Sequence, residues 1–571
     1  MKVYFYALMA MSLIITQINA DEPSSNSDGE AEEVVVTASI LNPSRIINPL
    51  YVIAGDDIED DATTSLGEAV DSYPGVSIAD FGAAVGQPII RGMSGPRVKI
   101  LKNGIVNRDV SGLGADHLND IDLNDIEQIE IIKGPSSLLY ANGTSGGIIN
   151  VVDNCIAPED FTESEFIAGL ETQSVNDGDV QHFNYKDNIG GFNINAGYKK
   201  TELGNFDIPN DAIINEEDHD DHEEEMLSFV KNSDLEIESS KFGISRSGDW
   251  GYFGLSADNL ESMYGIPFHG EHADEHGDGH DDHDDDHGDD HDDDHGDEHD
   301  DDHGDEHGEE RIFSTTDQES FTIKGQYNIG VNLLNSIEYT YRDTDYELVE
   351  AHAEEEGHDE HDEHDEHAPT VFTNDATEYG AIFDISTDNL IQKISVNFVD
   401  EDSAIFGEES FMNPANNEET TFGYFLSADL DAFYLDAGFR LDQIERSGSV
   451  TDDEHGDIDY YNYDDDTNSF AISLGRDLSD SFSMNLGFAS VERLPSVIEL
   501  YMNGPHLATG RLETGNPNLK GETSNNFDIT FDYDDGDFFA TASFYVNDVD
   551  NYIALIDMED DHDDHDDHDD H

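Results

Sequence analysis

Basic residues are scarce: Lys and Arg number 24 in 571 residues, against 133 Asp and Glu, for a formal charge of −109. A surface so poor in cations excludes nucleic acid as a partner, because phosphate recognition needs clustered Lys and Arg. Cysteine is nearly absent. Cys155 stands alone, which excludes a disulfide framework and a cysteine-based zinc cage; it is expected to be a small, half-buried residue. No apolar run approaches the roughly 18 residues of a membrane-spanning helix. Walker loops and H-E-x-x-H are missing too, and no enzyme is expected. Aromatics are not lacking. With 30 Phe and 23 Tyr, the chain is too aromatic for an acidic polymer without a fold.

What is present begins with an address. Lys2, the apolar stretch Val3 to Ile15 and the small-residue end Ile18-Asn19-Ala20 read as a signal peptide over residues 1–20, so the mature protein is expected to begin near Asp21. Residues 21–44 form a polar tail that carries the β-prone segment Glu33, Val34, Val35, Val36, Thr37, Ala38 and Ser39. An extended apolar segment on a loose tether is suited to adding a strand to a partner's sheet, although an ordinary edge strand would look the same.

Residues 45–155 carry short, glycine-punctuated α/β signals: Leu66–Val70 reads as a helix, Val98–Leu101 and Ile129–Ile132 as strands. From about residue 160 to 571 the period changes to two. Phe321–Tyr327, Phe433–Leu441, Phe482–Phe488 and Phe538–Val546 each put apolar side chains on one face and small or polar ones on the other, with aromatics near the ends. In an exported chain this pattern fits a transmembrane antiparallel β-barrel, and a large β-sandwich alternates in the same way. Short turns such as Asp534–Asp537 beside long polar insertions favour the barrel. The fold class expected is mainly β, with an N-terminal α/β domain.

Two ordered motifs carry a resemblance. Pro88-Ile-Ile-Arg-Gly-Met-Ser-Gly-Pro-Arg97, and Ile126 to Tyr140 followed by Gly143 and Ser145 to Val152, resemble the plug of TonB-dependent outer-membrane receptors, and Glu33–Ser39 resembles their TonB box. The resemblance implies a plug inside a barrel of the family's 22 strands, placement in the bacterial outer membrane, a monomer, and TonB with its inner-membrane energising complex as partner. It narrows to the zinc-receptor branch at Gly114-Ala-Asp116-His117, at Tyr264 to His269 with Glu271-His272, and at Arg493 to Tyr501 with Gly504-Pro-His506. By that resemblance Asp116, His117 and His506 are metal ligands, and His269 and His272 open a histidine-rich extracellular loop. The relatives' fourth ligand, a barrel glutamate, does not align; residues 347–366 hold several candidates. No permanent cofactor is implied, since the ion is cargo.

Three tracts hold 20 of the 26 histidines, over 269–310, 352–367 and 560–571. The first continues with His276, His280, His283, His287, His291, His295, His299, His303 and His307; the second includes His358, His361, His364 and His367. Such segments have no apolar surface to bury and are expected to lack a fixed fold of their own. Imidazole and carboxylate together suit Zn, Ni, Cu or Co, so the tracts are expected to capture metal weakly at the barrel mouth. An acidic loop that only keeps the surface hydrophilic is the plainer alternative. His182, His219, His222 and His455 carry no motif and are expected in ordinary loops.

The function expected is TonB-dependent import of a divalent metal ion, zinc by resemblance. A receptor for haem or a nickel, cobalt or copper chelate, and an exported metal-storage protein that transports nothing, are the alternatives. Residues 160–571 are too few for 22 strands at about 20 residues per strand and connection, and the acidic end lacks the family's terminal aromatic strand, so a chain cut within an extracellular loop is expected.

Overall fold

A computed structural model describes residues 51–556 apart from 56–57, 59–64, 81–84, 113, 115–116, 210–227, 268–310, 332, 354–368, 388–389, 408–409, 431–432, 452–454, 507–510 and 537. The N-terminal part is a five-stranded mixed sheet. Its strands lie in the order Tyr51–Ala54, Ile126–Ile132, Gly147–Asp153, Val98–Lys102, Ile105–Val106. Gly147–Asp153 is buried along its whole length and pairs parallel to Val98–Lys102, which is why its sequence is apolar on both faces rather than alternating, broken by Asn150, whose side chain donates to Glu130 at 2.9 Å, and ended by Asp153. The expected helix Leu66–Val70 forms, with the Ser65 hydroxyl accepting from the Glu68 backbone N–H at 3.2 Å. It packs Leu66 and Val70 into a core with Ile53, Ile129, Ile131 and Ile149.

Around this plug runs a fifteen-stranded antiparallel sheet in sequence order, from Glu165–Gln173 to Phe539–Asp550. Among the described residues fifteen strands form this sheet, against the 22 the resemblance implies, and its two end strands pair on one side only. Period-two alternation explains the sheet's two faces. Along Leu334–Ala353, Arg342, Thr344, Tyr346, Leu348 and Glu350 are buried toward the plug, while Asp343, Asp345 and Glu347 are exposed outward. The outward face carries aromatic pairs, with Tyr379 stacked on Phe398 at 5.1 Å and Phe470 beside Phe488 at 5.8 Å. An apolar outer band with aromatic girdles is what a barrel presents to lipid. No helix among the described residues is long and apolar enough to cross a membrane; the chain crosses with strands.

The connections sort by rim. One rim carries the turns 190–191, 249–250, 332–333, 385–389, 430–433, 480–481 and 535–538; the other carries two short connections, 174–177 and 452–457, and the longer 204–234, 266–310, 354–369, 407–414 and 494–521. Long connections mark the extracellular rim. His182, expected in a loop, instead lies in the strand Gly178–Ile189, because its neighbours continue the alternation of that strand. Cys155, expected half-buried, is fully buried where the chain passes from plug to barrel. There a Cβ on Gly243 would lie 1.8 Å from the Cys155 carbonyl oxygen, so the barrel wall needs glycine at this position.

Buried charge holds plug to barrel. Arg97, in the plug motif, donates from Nε to Glu522 at 3.1 Å and from a second nitrogen to the other carboxylate oxygen. Arg493 donates to the same Glu522 at 2.9 Å and to Glu499 at 2.8 and 3.0 Å. The Arg97 guanidinium also lies over the Tyr552 ring at 3.9 Å. Gly143 makes room for this cluster: its φ of +64° suits glycine, and a Cβ there would meet Arg493 Cγ at 2.9 Å.

Candidate metal site

His117 lies in the plug loop between Ile105–Val106 and Ile126–Ile132. Gln87 shapes that loop, its side-chain amide reaching the carbonyl oxygens of Ser111 at 2.7 Å, Gly114 at 2.5 Å and His117 at 3.2 Å. His506 comes from the barrel side, on the hairpin Asn503–His506 paired with Arg511–Thr514. The preceding helix Val497–Tyr501 starts with a reciprocal cap between Ser496 and Glu499, and the Tyr501 hydroxyl donates to the Arg446 carbonyl at 3.0 Å. Gly504 lets the hairpin approach closely, since a Cβ there would sit 3.0 Å from Phe411.

The two imidazoles meet. Their rings stack with centroids 5.6 Å apart at 11°, and both are buried, at 0 % and 2 % exposure. Phe411 stacks on His506 at 4.8 Å, and Phe372 stands edge-on to His117 at 5.4 Å. An ion shared by both rings would sit about 2.0–2.1 Å from one nitrogen of each, so binding requires the near-parallel rings to tilt toward each other. Glu513, which sequence reasoning missed, lies across the hairpin with a carboxylate oxygen 3.4 Å from His506 Nδ1. Among the described residues no group of three or more His, Cys, Asp or Glu forms a ready cage.

Within the 347–366 stretch, Glu347 faces outward and Glu350 inward, buried between Ser314 and Thr370 on the neighbouring strands. Two residues before Glu350, Leu348 pairs with Phe372, the residue that flanks His117. Glu350 is therefore the barrel glutamate of that stretch on the site's side of the wall. Asp116, His269, His272, the capture histidines from His276 to His307 and His358 to His367, and the segment Glu33–Ser39 lie outside the described residues.

Asp120, three residues after His117, is buried against the barrel. It accepts from the Tyr346 hydroxyl at 2.7 Å, Ser262 at 3.3 Å and Thr316 at 3.5 Å. Burial, reinforced by the Asp109 charge, pushes its carboxyl up to about 7 against the pull of those three donors. A carboxyl whose pKa is higher folded than unfolded contributes stability that is fully present below about pH 4 and lost as pH rises through 7. Asp120→Asn is therefore expected to flatten a decline of at most roughly 4 kcal/mol over that range, read from thermal unfolding at pH 4.5 and 8.

Comparison with known proteins decides the family. The family model for the TonB dependent receptor-like β-barrel matches residues 264–565, and the TonB-dependent receptor plug domain matches 43–148. The chain belongs to the TonB-dependent receptor family. This receptor is 22 % identical to the vitamin B12 transporter BtuB of Vibrio vulnificus (strain CMCP6), over 96 % of its own length and 74 % of the relative's. Among solved structures it resembles the copper transporter OprC, at 15 % identity and a TM-score of 0.65, covering 87 % of this receptor and 70 % of that chain. The FrpB iron transporter of Neisseria meningitidis gives 12 % identity and a TM-score of 0.61, over 87 % and 72 %. At such identities the structural likeness speaks for the fold alone. As a member of the family, the receptor is an outer-membrane transporter that works with the TonB complex, not an enzyme.

Proposed function

We propose that the receptor imports a divalent metal ion, zinc in first place, through the His117–His506 site. The observation that carries this reading is the meeting of two buried imidazoles, one from the plug and one from the barrel, with the Glu513 carboxylate 3.4 Å from His506. A site made from both partners is coupled to plug movement: displacing the plug separates the ligands and releases the ion. A structural zinc would instead be held permanently by four protein ligands. Asp116 is the further ligand that the zinc-receptor resemblance implies, and Glu350 lies on the same side of the wall. Zinc itself rests on that resemblance, because affinity order alone places copper above zinc.

The histidine-acid tracts act as an antenna. Many weak, exchanging sites raise the local metal concentration above the tighter site. Metal competes with protons for imidazole, so the antenna is expected to weaken below about pH 6.5. Calorimetric titration of the purified receptor with zinc tests both parts. One tight site and a larger set of weak sites are expected at pH 7.5, with the weak set reduced at least several-fold at pH 5.5. Nickel, copper and haem in the same titration read selectivity. Tight haem binding without tight zinc binding would replace this reading with the haem one.

A further inference from the structure

The strand Ile458–Ser479 outruns one of its two neighbours at the extracellular rim. Its register with Tyr434–Thr451 is unbroken, from Thr451 opposite Ile458 to Tyr434 opposite Gly475, whereas Phe482–Arg493 pairs with it only from Phe470 onward. Among the described residues, 458–469 therefore have one paired edge and one free edge. The inner face holds this stretch in place: Tyr463 packs against the core of Tyr346, Leu500 and Tyr501, and the Tyr461 ring stacks on Tyr501 at 6.3 Å. An edge already ordered costs little further entropy when a partner binds.

Asn468 shows which backbone groups face the free side: its N–H donates to the carboxylate of Glu492, on Phe482–Arg493, at 2.7 Å. Backbone groups alternate along an antiparallel strand, so the N–H groups of Tyr460, Asn462, Asp464 and Asp466 point the same way. The Asp465 carboxylate takes up the Asp466 N–H at 2.9 Å. Those of Tyr460, Asn462 and Asp464 have no acceptor among the described residues, and Tyr460 is 82 % exposed. A row of open backbone groups is a template for another strand. The paired strand is closed on its own far edge. Beyond Ser447, where it leaves Ala415–Asp429, Asn413 donates to the Ser449 carbonyl at 3.3 Å and Asn503 to the Thr451 carbonyl at 3.0 Å.

The side chains select what can pair there. Asp459, Asp464, Asp465 and Asp466 flank the edge, and no Lys, Arg or Pro lies between Ile458 and Ser469. Opposite charges stabilise a cross-strand pair and like charges oppose it. A second copy of this chain would bring the same carboxylates on a body of −109, and the histidine-acid tracts would bring more, so charge excludes both as occupants. What fits is an extended segment with Lys or Arg beside the aspartates and an apolar side chain beside Tyr460. We propose that residues 458–466 dock such a basic segment of an extracellular protein by strand addition. The inference does not rest on the metal reading.

The test is fluorescence anisotropy of labelled peptides on the whole purified receptor, in about 0.15 M salt, where charges more than roughly 8 Å apart are largely screened. The probe alternates lysine with threonine and tyrosine. One control carries glutamate for lysine; the other keeps the lysines but has its backbone amides methylated. The receptors are the wild type, Asn462→Pro, and Asp464→Asn with Asp466→Asn. Proline is tolerated at an edge position whose N–H faces outward, so Asn462→Pro removes a docking group without touching the existing ladder, and its melting temperature is expected to match the wild type. The basic probe is expected to bind the wild type, to weaken at least ten-fold in Asn462→Pro and to weaken several-fold in the charge variant. Both control peptides are expected to bind the wild type at least ten-fold more weakly than the probe, and this comparison stands even if Asn462→Pro misfolds. Equal binding of the methylated and unmethylated basic peptides would mean attraction by charge alone and overturn strand addition. No binding of the basic probe to the wild type would overturn it too, as would a wild-type dimer that Asn462→Pro converts to monomer, since the edge would then belong to a second copy.

Discussion

Replacing His506 with phenylalanine is expected to lower zinc affinity at the tight site by at least about 100-fold, more than the 10- to 100-fold typical of losing a second-shell partner. Phenylalanine is the informative replacement. His506 is stacked between Phe411 at 4.8 Å and His117 at 5.6 Å, so an aromatic ring keeps the packing while removing both nitrogens. The hairpin that carries it remains tied to the core, since the Asn503 backbone N–H donates to the Phe411 carbonyl at 2.6 Å. His117→Phe is expected to act in the same way from the plug side. The double variant is expected to lose little beyond either single one, because residues that share one ion are strongly non-additive. Titration with zinc and a thermal melt of each variant check this: a large affinity change with a small change in melting temperature is the expected signature.

The second large effect concerns what fastens the plug. Glu522→Ala is expected to destabilise the folded receptor by about 3–5 kcal/mol, the range for breaking a buried ion pair by removing one partner. Arg493 keeps Glu499 at 2.8 and 3.0 Å; Arg97 loses its carboxylate and stays buried. Arg97 is therefore the group that carries most of the cost. Replacing both partners with apolar residues of similar volume, as in Arg97→Met with Glu522→Leu, is expected to recover much of the loss, since desolvation then no longer opposes the fold. Melting temperature and protease sensitivity of the plug read the outcome. Equal destabilisation in the single and double variants would mean that the packing around Tyr552, not the charge, holds this contact.

The sequence makes the architecture readable because both periods are strong. Leu66–Val70 and the strand at Ile129–Ile132 form where their patterns say, and the alternating segments match barrel strands, two of them starting one residue early, at Phe433 and Phe538, which lie in the preceding turns. Alternation also separates Glu347 from Glu350 once the strand's facing is known, since Tyr346 and Leu348 fix the inward parity. What stays hidden is whatever depends on a fold-back. Glu513 and His506 are seven residues apart in sequence, and only the hairpin brings their side chains together. Gln87, which shapes the His117 loop from a separate strand, carries no local signal of that role.

Uptake of radioactive zinc by cells that express the receptor tests the central claim most directly, compared across wild type, a variant lacking residues 33–39, and His117→Phe. The account predicts energy-dependent uptake in wild type, surface binding without uptake in the deletion, and loss of uptake in His117→Phe. Uptake that continues unchanged in either variant would contradict it.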